Sequence, residues 1–104
     1  MLPIRLVMTR TPLQNGAFHE QLDNAAVFID HIKVDTVTEI SDGRRREQAI
    51  PGRANAVIRY VDHQVGYRLI YAEETAAQIA RMRFRLMHGE DPQTPDFSGI
   101  PSGI

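Results

Sequence analysis

The chain contains no cysteine, and its only lysine is Lys33. Lacking cysteine, it has no disulfide staples, no thiolate zinc sites and no thiol nucleophile. No apolar run approaches the roughly 18 residues that a helix needs to cross a bilayer. The opening Met1-Leu2-Pro3-Ile4-Arg5-Leu6-Val7-Met8 lacks the charged-then-apolar layout and cleavage site of a secretory signal, so the expected localisation is cytoplasmic synthesis without export. Serine-hydrolase and phosphate-loop patterns are missing too. The glycines stand singly at turns rather than clustered as a cradle. No internal repeat is visible.

What is present belongs to one globular domain. Length is within the usual domain range, and 42% apolar with 24% charged residues allows a modest core and argues against disorder of the whole chain. Twelve basic against thirteen acidic side chains leave a formal charge of −1, which exerts no global pull toward nucleic acid or anionic membrane. Eleven of the twelve basic residues are arginine, whose planar fork suits bidentate contacts at interfaces.

Along the chain, Ile4 to Thr9 suits a short strand, ended by the turn chemistry of Arg10-Thr11-Pro12 and Asn15-Gly16. Phe18 and Leu22, four apart, suggest about two helical turns. From Ala26 to Ile40 the chain is rich in β-branched residues and alternates around His31, Lys33 and Asp35, which reads as one strand with a wetter face. Ser41-Asp42-Gly43-Arg44 follows. Asp-Gly fits the positive φ angles of a two-residue type I′ turn, so a β-hairpin is expected to turn there and return through Arg45 to Ala49. Pro51 implies a bulge, bend or edge position before the chain resumes as a strand over Asn55 to Val61. A second turn at Asp62 to Gly66 leads to a strand over Tyr67 to Tyr71. Strands two, three and four are expected to form an antiparallel meander.

Glu73 to His88 alternates as a strand would between Ala80 and Leu86. Yet its end signals favour a helix: acidic Glu73 and Glu74 at the start, arginines and His88 near the end, Gly89 as cap. Its many strong helix formers point the same way. The apolar arc of that helix has Arg83 near its centre. The tail from Gly89 to Ile104 holds three of the six prolines and three glycines, and is expected to be extended, alone or laid on a partner. The expected fold is therefore α+β: an antiparallel meander or small barrel-like sheet of about four strands with one C-terminal helix. Residues 1–88 form the single domain and 89–104 an extended Pro/Gly-rich arm.

Candidate chemistry is thin. His31 with Asp35, His63 beside Asp62, and adjacent His19-Glu20 match no metal-ligand spacing. Asp30, Asp35, Glu39 and Asp62 read as solvated strand-face acids, with Glu39 opposing the arginine run across the expected hairpin. No catalytic, cofactor or metal residue is nominated. The nominated interaction residues are Arg44, Arg45 and Arg46 at the hairpin exit, and Arg81, Arg83 and Arg85 near the C-terminus. Arg83 either snorkels to water or meets an acid on another subunit. Tyr60, Tyr67 and Tyr71 are explained by core packing. The expected function is a non-enzymatic structural or assembly subunit that contacts protein partners, a homo-oligomer or part of a larger assembly, through a hairpin and a C-terminal arm. Small virion components of tailed bacteriophages (head, connector or tail) share that architecture, an analogy of form alone. The alternative is a small nucleic-acid-binding or regulatory module using Arg44 to Arg46. A small enzyme comes third.

Overall fold

Five antiparallel strands, β1 (Leu2–Pro12), β2 (Phe18–Ile29), β3 (Val34–Glu39), β4 (Ala56–Asp62) and β5 (Gly66–Ala72), form one open sheet in the order β2-β1-β5-β4-β3. Among the described residues there are two α-helices, α1 (Asp42–Glu47) in the β3–β4 connection and α2 (Ala76–Met87) after β5. This computed structural model describes residues 1–62, 64 and 66–92. The fold is α+β, as expected, and β3-β4-β5 is the anticipated meander. The fifth strand is β2, and β1 lies between it and β5.

The segment at Phe18 to Leu22 is strand, not helix. Phe18, Glu20 and Leu22 alternate with His19 and Gln21, and this two-residue period is realised because β1 offers a partner along almost its whole length, from Leu2↔Ile29 to Pro12↔Phe18. The two strands join through Leu13 to Ala17, where Gly16 takes φ +84° and Leu13 N–H donates to Ala17 O at 2.8 Å. A bulge at Leu6/Met8 interrupts β1 in its pairing with both β2 and β5.

The expected single strand from Ala26 to Ile40 is broken in two. Asp30 stops it: its carboxylate accepts from Ile32 N–H at 3.0 Å and caps a 3-10 turn at His31–Lys33. Asp30 N–H also donates to the Tyr60 hydroxyl at 3.2 Å, tying the end of β2 to β4.

The tight hairpin expected at Ser41-Asp42-Gly43-Arg44 is absent, and the segment forms α1 instead. Ser41 is its N-cap, with Oγ accepting from Arg44 N–H at 3.2 Å. Gly43 does not take a positive φ. The expected returning strand, Arg45 to Ala49, is therefore helix and helix end, and β3 meets β4 only from Glu39↔Ala56 onward. Arginine, glutamate and glutamine are good helix formers, and once capped they outweigh the local turn preference of Asp-Gly. The helix closes as a Schellman motif: Ile50 N–H donates to Arg45 O at 2.9 Å and Ala49 N–H to Arg46 O at 3.4 Å. Ala49 occupies the left-handed position that glycine usually fills, at φ 54°. Pro51 lies in the connection that follows.

The turn at Asp62 to Gly66 is a hairpin with Asp62 paired to Gly66, and Gly66 at φ +94°. The helix expected over Glu73 to His88 is α2. Its first turn holds no acid, because Glu73 and Glu74 precede the N-cap Thr75. Thr75 and Gln78 form a capping box, with Thr75 Oγ1 accepting from Gln78 N–H and Gln78 Oε1 from Thr75 N–H. Gly89 ends the helix at φ +73°, with Glu90 N–H donating to Arg85 O at 2.8 Å. The expected extended arm falls on residues 93–104 for the most part, outside the described residues.

The sheet has a core on each side. Leu2, Ile4, Ile29, Val34, Ile58 and Ile70 pack with Ile79 and Met82 of α2. On the opposite side Val7, Met8, Val57 and Tyr71 pack with Ile40, Ile50 and Ala54 from the segment around α1. Alternation along β4 and β5 sends Ile58 and Ile70 one way and Val57 and Tyr71 the other. Among the described residues no helix is long and apolar enough to cross a membrane.

Candidate functional site

The six nominated arginines do not form one site. Arg44 Nε donates to Gln48 Oε1 at 3.4 Å within α1. Arg45 is absorbed by the fold: its Nη1 donates to the carbonyls of Pro51 at 2.9 Å, Gly52 at 3.2 Å and Ala54 at 2.6 Å. It thereby fixes the path from α1 into β4. Arg46 is exposed. On α2, Arg81 is exposed and partnered, whereas Arg83 and Arg85 are half-buried. Arg83 lies on the sheet-facing arc and reaches the Val34 carbonyl of β3 with Nη2 at 3.5 Å. Its stem is thus packed and its head turned to the sheet edge. Arg83 Nε, Arg85 Nη1 and Arg68 Nε are buried without a hydrogen-bond partner among the described residues.

The acids weighed for catalysis have structural partners. Glu39 does not oppose the arginine run; its Oε2 accepts from Ala76 N–H at 3.0 Å, tying β3 to the first turn of α2. Asp35 pairs with Arg59 at 2.7 Å, and Arg59 in turn lies 4.5 Å from the centre of the Tyr67 ring. Asp62 accepts from Gln64 N–H at 2.8 Å. His19 is exposed on β2, and His88 stacks on Phe84 with ring centres 4.1 Å apart. His63 lies outside the described residues. Among the described residues no group of three or more His, Asp or Glu is placed to hold a metal ion.

Two features were missed by sequence reasoning. The first is Arg10, buried on β1. Its Nε pairs with Glu20 at 3.0 Å, its Nη1 donates to the Tyr71 hydroxyl at 3.1 Å, and its Nη2 donates to Gln48 O at the end of α1. One guanidinium therefore joins β1, β2, β5 and α1, as a planar donor fork allows. The alternation of Met8 and Arg10 placed it on an apolar face, but the sequence offers no sign of its three acceptors.

The second is a set of exposed apolar side chains, two groups of which stand beside the separately exposed Met1, Phe28 and Ile32. On the β1–β2 hairpin, Leu13, Phe18 and Leu22 are exposed; Phe18 is opposite Pro12 and Leu22 opposite Met8. On α2, Ala77, Ala80, Phe84 and Met87 are exposed at helical three- and four-residue spacing, with Phe84 at 60% and Met87 at 72%. The broad apolar arc of this helix thus divides into a sheet-facing half and an outer half that no described residue covers. A hydrophobic strand period at 18–22 was the available signal for the first patch.

Comparison of the chain with protein-family models, with curated proteins and with solved structures gives no match.

Proposed function

We propose that this chain is a non-enzymatic structural or assembly subunit whose partners are proteins, including copies of itself. The observation that carries the reading is the concentration of large exposed apolar side chains on the β1–β2 hairpin and on the outer face of α2. An isolated subunit leaves these in water, where an interface would bury them at about 25 cal/mol per Å². The hairpin that makes contact is β1–β2, rather than one at Ser41 to Arg44. The C-terminal arm from residue 89 onward is the second contact element of this reading. A small virion component of a tailed bacteriophage is one setting with this architecture, a compact β domain carrying a hairpin and an arm.

The nucleic-acid alternative rests on Arg44, Arg45 and Arg46, and Arg45 is already committed to three carbonyls of its own chain. That leaves too few uncommitted cations on α1 for a multi-phosphate contact.

Sedimentation velocity over a broad concentration range, with electron microscopy of the purified chain, tests the assembly reading. Concentration-dependent oligomers are expected. A strictly monomeric chain that recovers no partner from its native source would overturn it.

A further inference from the structure

We infer that Arg68 of β5 and Arg85 of α2, supported by Arg83, bind a small oxyanion, a phosphate or carboxylate group, on the helix side of the sheet. Other arginines have found a counter-charge or a carbonyl. Arg5, Arg10, Arg53 and Arg59 are ion-paired, and Arg45 meets three carbonyls. Arg68, Arg83 and Arg85 differ. All three are half-buried, and none makes an ion pair among the described residues. Each also holds one buried guanidinium nitrogen without a hydrogen-bond partner there: Nε of Arg68, Nε of Arg83 and Nη1 of Arg85. Buried donors left unpaired are rare in folded proteins, and each points to a water or an ion that completes it.

Register and helical phase bring the three to one level of the fold. Arg68 is paired with Tyr60, and Tyr60 with Val34. This row lies on the α2 side of the sheet, because Val34 and Tyr60 pack in the core there. Arg83 Nη2 is 3.5 Å from the Val34 carbonyl, so α2 passes this row at Arg83. Its first turn is held at the other end of β3 by Glu39, so helix and strand run antiparallel. Arg85 is two positions beyond Arg83, about 200° round the helix and about 3 Å along it. Arg83 takes the flank toward the edge strand β3; Arg85 therefore takes the flank toward β4 and β5, level with Arg68. Two donor forks thus border the seam between α2 and β5, with a third charge across the helix. Water satisfies a donor but does not neutralise facing cations. An oxyanion does both, and the guanidinium fork matches its geometry. The C-terminal end of a helix opposes an anion, yet the carbonyls of Phe84, Arg85 and Leu86 already accept from His88, Gly89 and Glu90 N–H groups. This site stands independently of the assembly reading.

Titration of the full-length protein with inorganic phosphate, and separately with acetate, tests the site, each at constant ionic strength against chloride. Calorimetry is expected to show saturable binding, and the tighter of the two anions identifies the group the site takes. The Nε–Hε resonances of Arg68 and Arg85 are expected to shift along the same isotherm. Arg68→Met and Arg85→Met keep an apolar stem, and each should weaken binding about tenfold or more, the scale of a lost hydrogen bond to a charged group. Arg83→Met should weaken it by about twofold to fivefold, since its charge acts from the other flank. Arg46→Met, on α1, should leave binding unchanged. Thermal unfolding midpoints report whether each variant keeps its fold; where one does not, the resonance shifts of the unsubstituted protein decide alone. Saturable binding of neither anion, binding that survives both Arg68→Met and Arg85→Met, or shifts confined to other residues would each overturn the proposal.

Discussion

The Arg10 guanidinium donates to the Tyr71 hydroxyl at 3.1 Å and lies 5.2 Å from the centre of the same ring. The two residues sit on neighbouring strands, sixty-one positions apart, and Tyr71 is fully buried. Through this pair a cation is accommodated next to an apolar core, with its remaining nitrogens satisfied by Glu20 and the Gln48 carbonyl.

Replacing Arg10 with methionine keeps the stem volume and removes the fork. The Tyr71 hydroxyl and the Gln48 carbonyl then lose a charge-assisted partner, so unfolding free energy should fall by about 2–3 kcal/mol. Glu20→Gln should cost less than about 1 kcal/mol, because the Glu20 side chain is 54% exposed and solvent screens the pair. Urea unfolding of both variants checks the order. Equal losses would place the weight on the ion pair instead of on the buried acceptors.

The three consecutive arginines of α1 should separate sharply. Arg45→Ala leaves the carbonyls of Pro51, Gly52 and Ala54 without their shared donor and should cost about 1–3 kcal/mol. Arg44→Ala and Arg46→Ala should each stay within about 0.5 kcal/mol, as surface changes do. Denaturant midpoints of the three single variants decide it. A uniform response across the three would contradict the observed loop.

Gly43 and Ala49 should respond in opposite directions to an exchange of residue type. Gly43 sits inside α1 without a positive φ, and a Cβ there meets nothing within 4 Å. Gly43→Ala should therefore stabilise by roughly 0.5–1 kcal/mol. A type I′ turn at the same place would be destabilised by that substitution, so the sign distinguishes helix from hairpin. Ala49, at φ 54°, should gain on change to glycine, by up to about 1 kcal/mol. Differential scanning calorimetry reads both signs.

Thr75→Ala removes the oxygen that accepts from Gln78 N–H and breaks a reciprocal cap. A loss of about 1 kcal/mol is expected. Because Ile79 and Met82 anchor this helix in the core, the loss should appear in global unfolding as well as in the exchange of amide hydrogens at the start of α2. Fast exchange there with an unchanged unfolding midpoint would show that the helix end frays independently of the sheet.

Strands β4 and β5, their short hairpin and the C-terminal helix were legible because each is written within a few adjacent residues. Val57 to Val61 and Tyr67 to Tyr71 are β-rich runs on either side of a short turn, and the composition of α2 and its Gly89 cap outweigh the false alternation at Ala80 to Leu86. Local signals failed where two were compatible with the same residues. Asp42-Gly43 suits a tight turn and also tolerates a capped helix, and Phe18 to Leu22 suits either period. The partner decided each time: β1 runs the length of β2, and the loop after α1 folds under the sheet to bury Ile50 and Ala54. Side-chain roles depend on tertiary structure still more strongly. Three adjacent arginines read alike in sequence, yet only Arg45 meets three carbonyls brought within reach by the turn at Pro51. The sequence by itself determined the fold class, the helical state and Gly89 end of α2, and the lack of any recognisable catalytic pattern, since propensity, periodicity and composition are local. Only the tertiary structure decided the strand order, the helix at Ser41 to Glu47, the burial of Arg10 and which apolar side chains stay exposed, because those depend on contacts between residues far apart in the chain.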